Sequence, residues 1–230
     1  MSVIVTGCGR SGTNLVLEIL RGNSYLKATD LIEDKFFARR GYFKYSIDYL
    51  SKCDVLYFTV EQFRKTLLAN QDMKVVWCIR DPRDMILSKL KRGQLIKDGG
   101  DSLTGSEDGM FNKCHLSIRA AFDKHLALMK DEDLNNCILV VKMEDTILNP
   151  EASAKRMCLF LDIPYQSSML DIKMRNKFKK ARYKGIDKSQ VGLWKHWDTV
   201  YDGFFKKQSY NVLETFDRVK DIMAAYGYDY

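Results

Sequence analysis

Two glycines set five residues apart, Gly7 and Gly12, interrupt the stretch "VTGCGRSGTN" (5–14) just after the apolar run Val3-Ile4-Val5. Glycines at that spacing, between a strand and the start of a helix, let backbone N–H groups approach a phosphate closely. In loops that hold nucleoside triphosphates the next two residues are Lys and then Ser or Thr, which grip the outer phosphates and Mg²⁺. Here those positions are Thr13 and Asn14, and the loop's positive charge sits earlier, at Arg10. Ser11, Thr13 and Asn14 add side-chain donors, and the Arg10 guanidinium offers a fork suited to phosphate or sulfate oxygens. Such a loop suits a 5′-phosphate ester and the group leaving from it, neutralised by arginine and backbone without a metal.

A second constellation follows the apolar run "KVVWCI" (74–79): Arg80-Asp81-Pro82-Arg83-Asp84, then Ser88. Asp81 suits an N-cap, with Pro82 at the first helical position. A strand-end arginine and a hydroxyl two turns into the next helix can converge on one anion. A third is the basic window 173–188, with eight Lys or Arg and one acid, whose +7 equals the formal charge of the whole chain. Alone, that window would suit a solvated helix face or nucleic acid, since Phe178 and Tyr183 lie among the charges.

Strand-length apolar runs alternating with helical periods must position these groups. Strands are expected at 2–6, at 54–60 ("DVLYFTV"), at 74–79 and at 137–143. Helices are expected near 15–20, 61–69, 82–91, 112–130, after Asn149-Pro150, and at 211–225. Residues 93–109 hold five glycines and are expected to be a mobile loop. Strands apolar on both sides and alternating with helices argue for an α/β fold, a parallel sheet flanked by helices on both faces. With no repeat and no linker in 230 residues, one domain over 1–230 is expected.

Composition narrows the class. Hydrophobic residues make up 46% of the chain and prolines number three, which excludes fibrous or disordered chains. The six cysteines show no CxxC pair, so neither a disulfide framework nor a zinc site is indicated. No apolar stretch approaches a membrane span and no signal segment is visible, so a cytoplasmic protein without a membrane partner is expected.

Taken together, "GRSGTN" and the Arg80-to-Ser88 motif resemble the sulfotransferases that use 3′-phosphoadenosine-5′-phosphosulfate (PAPS), a P-loop-like family. Further stretches are similar to that family: "VVKMEDTILNPEASAKRMCLFLDIP" (140–164), "GLWK" (192–195), which resembles the Gly-x-Trp-Lys that closes over the donor, and the terminal "YGYDY". The resemblance implies that Gly9, Arg10, Ser11, Gly12, Thr13 and Asn14 hold the 5′-phosphosulfate. It implies that Arg80, Ser88, Lys184 and Gly185 hold the 3′-phosphate. The implied reaction is metal-independent in-line transfer of a sulfuryl group to a hydroxyl or amine. PAPS and its desulfated product PAP are then the nucleotide partners, with a small-molecule, glycan or peptide acceptor and no nucleic acid. Arg10 would assist the leaving group. The Lys-Thr-His that one branch carries after the second strand is absent, the corresponding stretch reading Phe58-Thr59-Val60-Glu61. Other branches place a glutamate after the first helix, which makes Glu33 the candidate base, with Asp30 and Asp34 beside it and Glu61 as runner-up. His115, His125 and His196 read as packed or surface residues. The alternatives are an inactive nucleotide- or nucleic-acid-binding module on the same fold, or a P-loop kinase, which the missing lysine disfavours.

Overall fold

The computed structural model describes residues 1–28, 50–95, 107–172, 186–199 and 212–229. Among them the strands β1 (Ser2–Gly7), β2 (Leu50–Asp54), β3 (Met73–Ile79) and β4 (Ile138–Lys142) form a parallel sheet in the order β2-β1-β3-β4. The fold is α/β, as the alternation predicts. β1 pairs on both sides, Val5 lying opposite Lys52 of β2 and Val76 of β3. The apolar run Val3-Ile4-Val5 is accordingly buried throughout. The described helices are α1 (Thr13–Leu20), α2 (Val60–Ala69), α3 (Pro82–Leu95), α4 (Glu107–Met129), α5 (Met143–Leu148), α6 (Pro150–Phe160), α7 (Val212–Asp217) and α8 (Lys220–Ala225). No described helix is long and apolar enough to cross a membrane.

Among the described residues, contacts gather the chain into two compact units. Met1–Ile79 with Asp123–Lys188 form the first, and Arg80–Phe122 with Ser189–Tyr230 the second. In the first unit the sheet's two faces differ. Trp77 carries an aromatic stack on one face: Phe63 of α2 meets it edge-on at 6.5 Å, and the His125 ring lies 5.0 Å away. Phe58 stacks on Phe63 at 4.2 Å. Val76 and Cys78 alternate with Trp77 and so point to the other face, which Lys52 shares through its register with Val5 and Val76. In the second unit α8 is tied to α4 by Arg119, whose guanidinium donates to both Asp221 carboxylate oxygens at 2.7 and 2.8 Å.

The second strand departs from expectation. "DVLYFTV" reads as a strand by its β-branched and aromatic residues, yet β2 ends at Asp54, where that stretch begins. The Asp54 carboxylate accepts the Leu56 N–H at 2.9 Å and opens a 3₁₀ turn over Val55–Tyr57. Lys124 donates to the carbonyls of Val55 and Phe58, and Thr59 with Gln62 forms a capping box that starts α2. The backbone groups a strand would place in a ladder are thus occupied by side chains. Phe58 here serves the stack on Trp77, through Phe63, rather than sheet pairing. Elsewhere the departures are small. α3 runs to Leu95 and α4 begins at Glu107, so both ends of the expected loop are helical while 96–106 lie outside the described residues, and the last helix divides into α7 and α8.

His125 is buried against Trp77, and that burial lowers its pKa to about 4. Below the ordinary histidine pKa the unfolded chain takes up a proton that the folded protein refuses. This group's contribution is therefore complete above that value and is lost as pH falls toward 4. His125→Phe should reduce the acid sensitivity of unfolding by ~2–3 kcal/mol between neutral pH and the acid limit. Urea unfolding of both proteins across that range measures it, and parallel curves would show that His125 does not titrate as described.

Candidate functional site

Chain connections around the sheet indicate where a ligand belongs. From β1 the chain crosses to β2 on one side, and from β3 it crosses to β4 on the other. The carboxyl ends of β1 and β3 are therefore the topological switch point, where open α/β sheets bind ligands. The glycine loop leaves one of these ends, and Arg80 directly follows the other in the chain.

Gly7 ends β1 at φ 150°, against the neighbouring strand. A Cβ there would stand 2.4 Å from the Cys78 carbonyl oxygen and 2.6 Å from Ser11 Oγ, so only glycine fits. The loop then turns, with Ser11 N–H donating to the Cys8 carbonyl at 3.0 Å. Arg10 takes a left-handed φ of 79°, uncommon for a side chain of its size, and lies exposed. Gly12 caps α1 at φ 93°, with the Met143 side chain 2.8 Å from where its Cβ would be. It offers no side-chain acceptor to the helix, and the first turn of α1 holds no acid. The exposed amide dipoles there attract an anion. Ser11 Oγ is buried and has no hydrogen-bond partner among the described residues. An orphaned hydroxyl beside an uncapped helix start, with two glycines removing bulk, fits a phosphate or sulfate oxygen.

Lys52 was not singled out in the sequence. It lies on β2, is 7% exposed, and its Nζ donates to Asn14 Oδ1 in the first turn of α1 at 2.8 Å. A lysine, which the loop itself lacks, is thereby supplied by the adjacent strand. Its charge is felt across the sheet end: burial pushes the Cys78 thiol well up, and Lys52 pulls it partly back. The sequence signal was a lone lysine in the run 50–58, whose position only the register reveals. Asp54 ends β2 opposite Gly7.

The Arg80-to-Ser88 motif lies in the second unit. Asp81 caps α3 as expected, its carboxylate accepting the Arg83 N–H at 2.9 Å. It also receives the Arg83 guanidinium at 3.0 and 2.7 Å, and that guanidinium covers the Trp194 ring at 3.4 Å. Asp84 is wholly buried and accepts the N–H groups of Gly192 (2.8 Å) and Trp194 (2.9 Å). Burial raises its pKa to about 6, against the pull of Arg80 and of the two amides. An acid whose pKa rises on folding favours the fold while protonated. That contribution is complete below the ordinary carboxylate pKa and is lost as pH rises through about 6, opposing His125. Arg80 is buried, donates to the Gln190 carbonyl, and lies 3.8 Å from Asp84. Ser88 is buried on α3.

Gly9 through Asn14 thus run from the loop into the first turn of α1 in the first unit, and in the second Arg80 precedes α3 while Ser88 lies within it. Glu33, Asp30, Asp34, Lys184 and Gly185 lie outside the described residues, as does most of the basic window. Glu61 stands exposed on α2, 3.2 Å from Lys65. His115 lies within α4, and His196 is exposed in the turn Leu193–His196.

The family model of the sulfotransferase domain matches residues 1–211. The chain belongs to the sulfotransferase family. Solved structures of the family share its fold at low identity. The sulfotransferase domain from the curacin biosynthetic pathway superposes with a TM-score of 0.64 at 13% identity, over 99% of this chain and 98% of that one. A mouse sulfotransferase, SULT7A1, complexed with PAP gives 0.59 at 15%, covering 90% of this chain and 84% of its own. Retinol dehydratase in complex with retinol and PAP gives 0.57 at 14%, covering 96% and 81%. No curated protein matches the sequence at a significant level.

In this sulfotransferase, Gly7→Ala should destabilise the fold by about 3 kcal/mol or more, because the new methyl meets a backbone carbonyl that cannot yield. Thermal unfolding tests this, and a loss below about 1 kcal/mol would mean that the loop has room to shift.

Proposed function

We propose that this protein moves a sulfuryl group from PAPS to a hydroxyl or amine acceptor, leaving PAP. The observation that carries the reading is the uncapped start of α1 with the orphaned Ser11 hydroxyl above it, in a chain of this family. The loop amides, Ser11, Thr13 and Asn14 would hold the 5′-phosphosulfate. Arg80 and Ser88, with Lys184 and Gly185, would hold the 3′-phosphate. The donor supplies the sulfuryl group, and its bridging oxygen takes up negative charge as the S–O bond breaks. Lys52, set beside Asn14, and Arg10 are the cations proposed to meet that charge. A carboxylate takes the acceptor's proton as its oxygen or nitrogen attacks sulfur. Glu33 remains the proposed base, and Asp54, which ends β2 across from Gly7, is the carboxylate to test beside it. The reading needs no metal.

Titration calorimetry with PAP tests the donor assignment, and absence of binding would overturn it. Lys52→Met should lower turnover about a hundredfold while changing PAP affinity much less, as expected for a group acting on charge that develops in the transition state. A raised KM with unchanged kcat would reduce Lys52 to a ground-state contact. Of Glu33→Gln and Asp54→Asn, the substitution that removes transfer but keeps PAP binding identifies the base. If neither does, the proton leaves by another group.

A further inference from the structure

In the second unit, three charged side chains of the 80–84 turn hold one distant segment. Arg80 donates to the Gln190 carbonyl, Arg83 lies over the Trp194 ring at 3.4 Å, and Asp84 accepts two amides from Gly192 and Trp194. Gly192 adopts a left-handed φ of 72°, and the chain turns there, with Lys195 N–H donating to the Gly192 carbonyl. Asp84 is the deepest of the three, with no exposed surface, and both carboxylate oxygens are engaged.

We propose that Asp84 is a positioning residue for the 3′-phosphate: it seats the turn Gly192–Trp194 on the start of α3, and the seated chain holds the Gln190 carbonyl on the Arg80 guanidinium. This rests on the reading that Arg80 meets the 3′-phosphate. An arginine side chain has many rotamers, and fixing its plane beforehand lowers the ordering cost of binding. The carbonyl supplies that restraint, and Asp84 holds the carbonyl's segment in place. A carboxylate 3.8 Å from Arg80 must also weaken the local attraction for anions. The two effects have opposite signs, which separates them. If Asp84 were only a nearby negative charge, removing that charge would tighten phosphate binding. If it positions Arg80, removing it weakens binding.

The test uses Asp84→Asn at neutral pH, with affinities for PAP and for adenosine 5′-monophosphate, which lacks the 3′-phosphate. Hydrogen exchange at the Gly192 and Trp194 amides is followed in the same protein. PAP should bind about tenfold more weakly and the monophosphate within about twofold of wild type, the scale of one charge-assisted contact. The two amides should exchange about tenfold faster or more, with the amides of β3 unchanged. Trp194→Leu keeps the carboxylate but removes the stack on Arg83. It should shift PAP affinity the same way by a smaller factor, and it serves if Asp84→Asn does not fold. Tighter or unchanged PAP binding, equal losses for both nucleotides, or unaltered amide exchange would overturn the positioning role. A wild-type protein that bound neither nucleotide would instead overturn the donor reading beneath it.

Discussion

The close approach of Gly7 to the Cys78 carbonyl is the contact on which the loop depends. It lets the chain leave β1 pressed against β3, and that places Ser11 beneath the turn with its hydroxyl buried. A side chain at position 7 would collide with both the Cys78 carbonyl and the Ser11 hydroxyl. Gly12 repeats the device at the other end, where the Met143 side chain fills the space a Cβ would need. Between them Arg10 is left in a backbone conformation that arginine seldom adopts, a strain the surrounding turn imposes.

Two of the helices that begin near strand ends, α1 and α3, are treated in opposite ways. α1 starts with neither a side-chain acceptor nor an acid, so its amide dipoles remain directed at whatever enters. α3 starts with Asp81 as cap and Asp84 in its first turn, and both carboxylates are satisfied by protein groups. The first helix start is left open for an anion, and the carboxylates at the second anchor protein. The motif at 80–84 combines a proposed phosphate contact with a socket for a segment over a hundred residues later. Under the proposal these roles share the Arg80 side chain, so that its orientation counts as well as its charge.

What the sequence disclosed follows from how local each signal was. Glycine spacing, the Asp81 cap and Pro82 act within a few residues, and the structure places them as the pattern implies. Lys52 was missed because a single lysine in an apolar run has no pattern. Its meaning comes from sheet register and from Asn14, 38 residues away in sequence. Asp84 was noticed only as part of its motif, since its partners Gly192 and Trp194 are 108 and 110 residues away. The stretch 54–60 misled because aromatic and β-branched residues serve a buried stack as well as a strand. Two local caps, at Asp54 and Thr59, and a clamp from the distant Lys124 decided between the two.

The same Gly7–Cys78 contact governs the order in which the molecule can assemble. Although "GCGRSGTN" is a short continuous segment, its shape is defined by backbone more than seventy positions further along the chain. β1 finds its partners only in β2 and β3, both parallel and both distant in sequence. Closing such loops costs entropy before any contact rewards it, which makes parallel pairings slow to form. The glycine loop can be flexible and unformed while much of the helical structure is already present. Its final shape needs the Cys78 carbonyl in place, and so is reached only when β3 has docked.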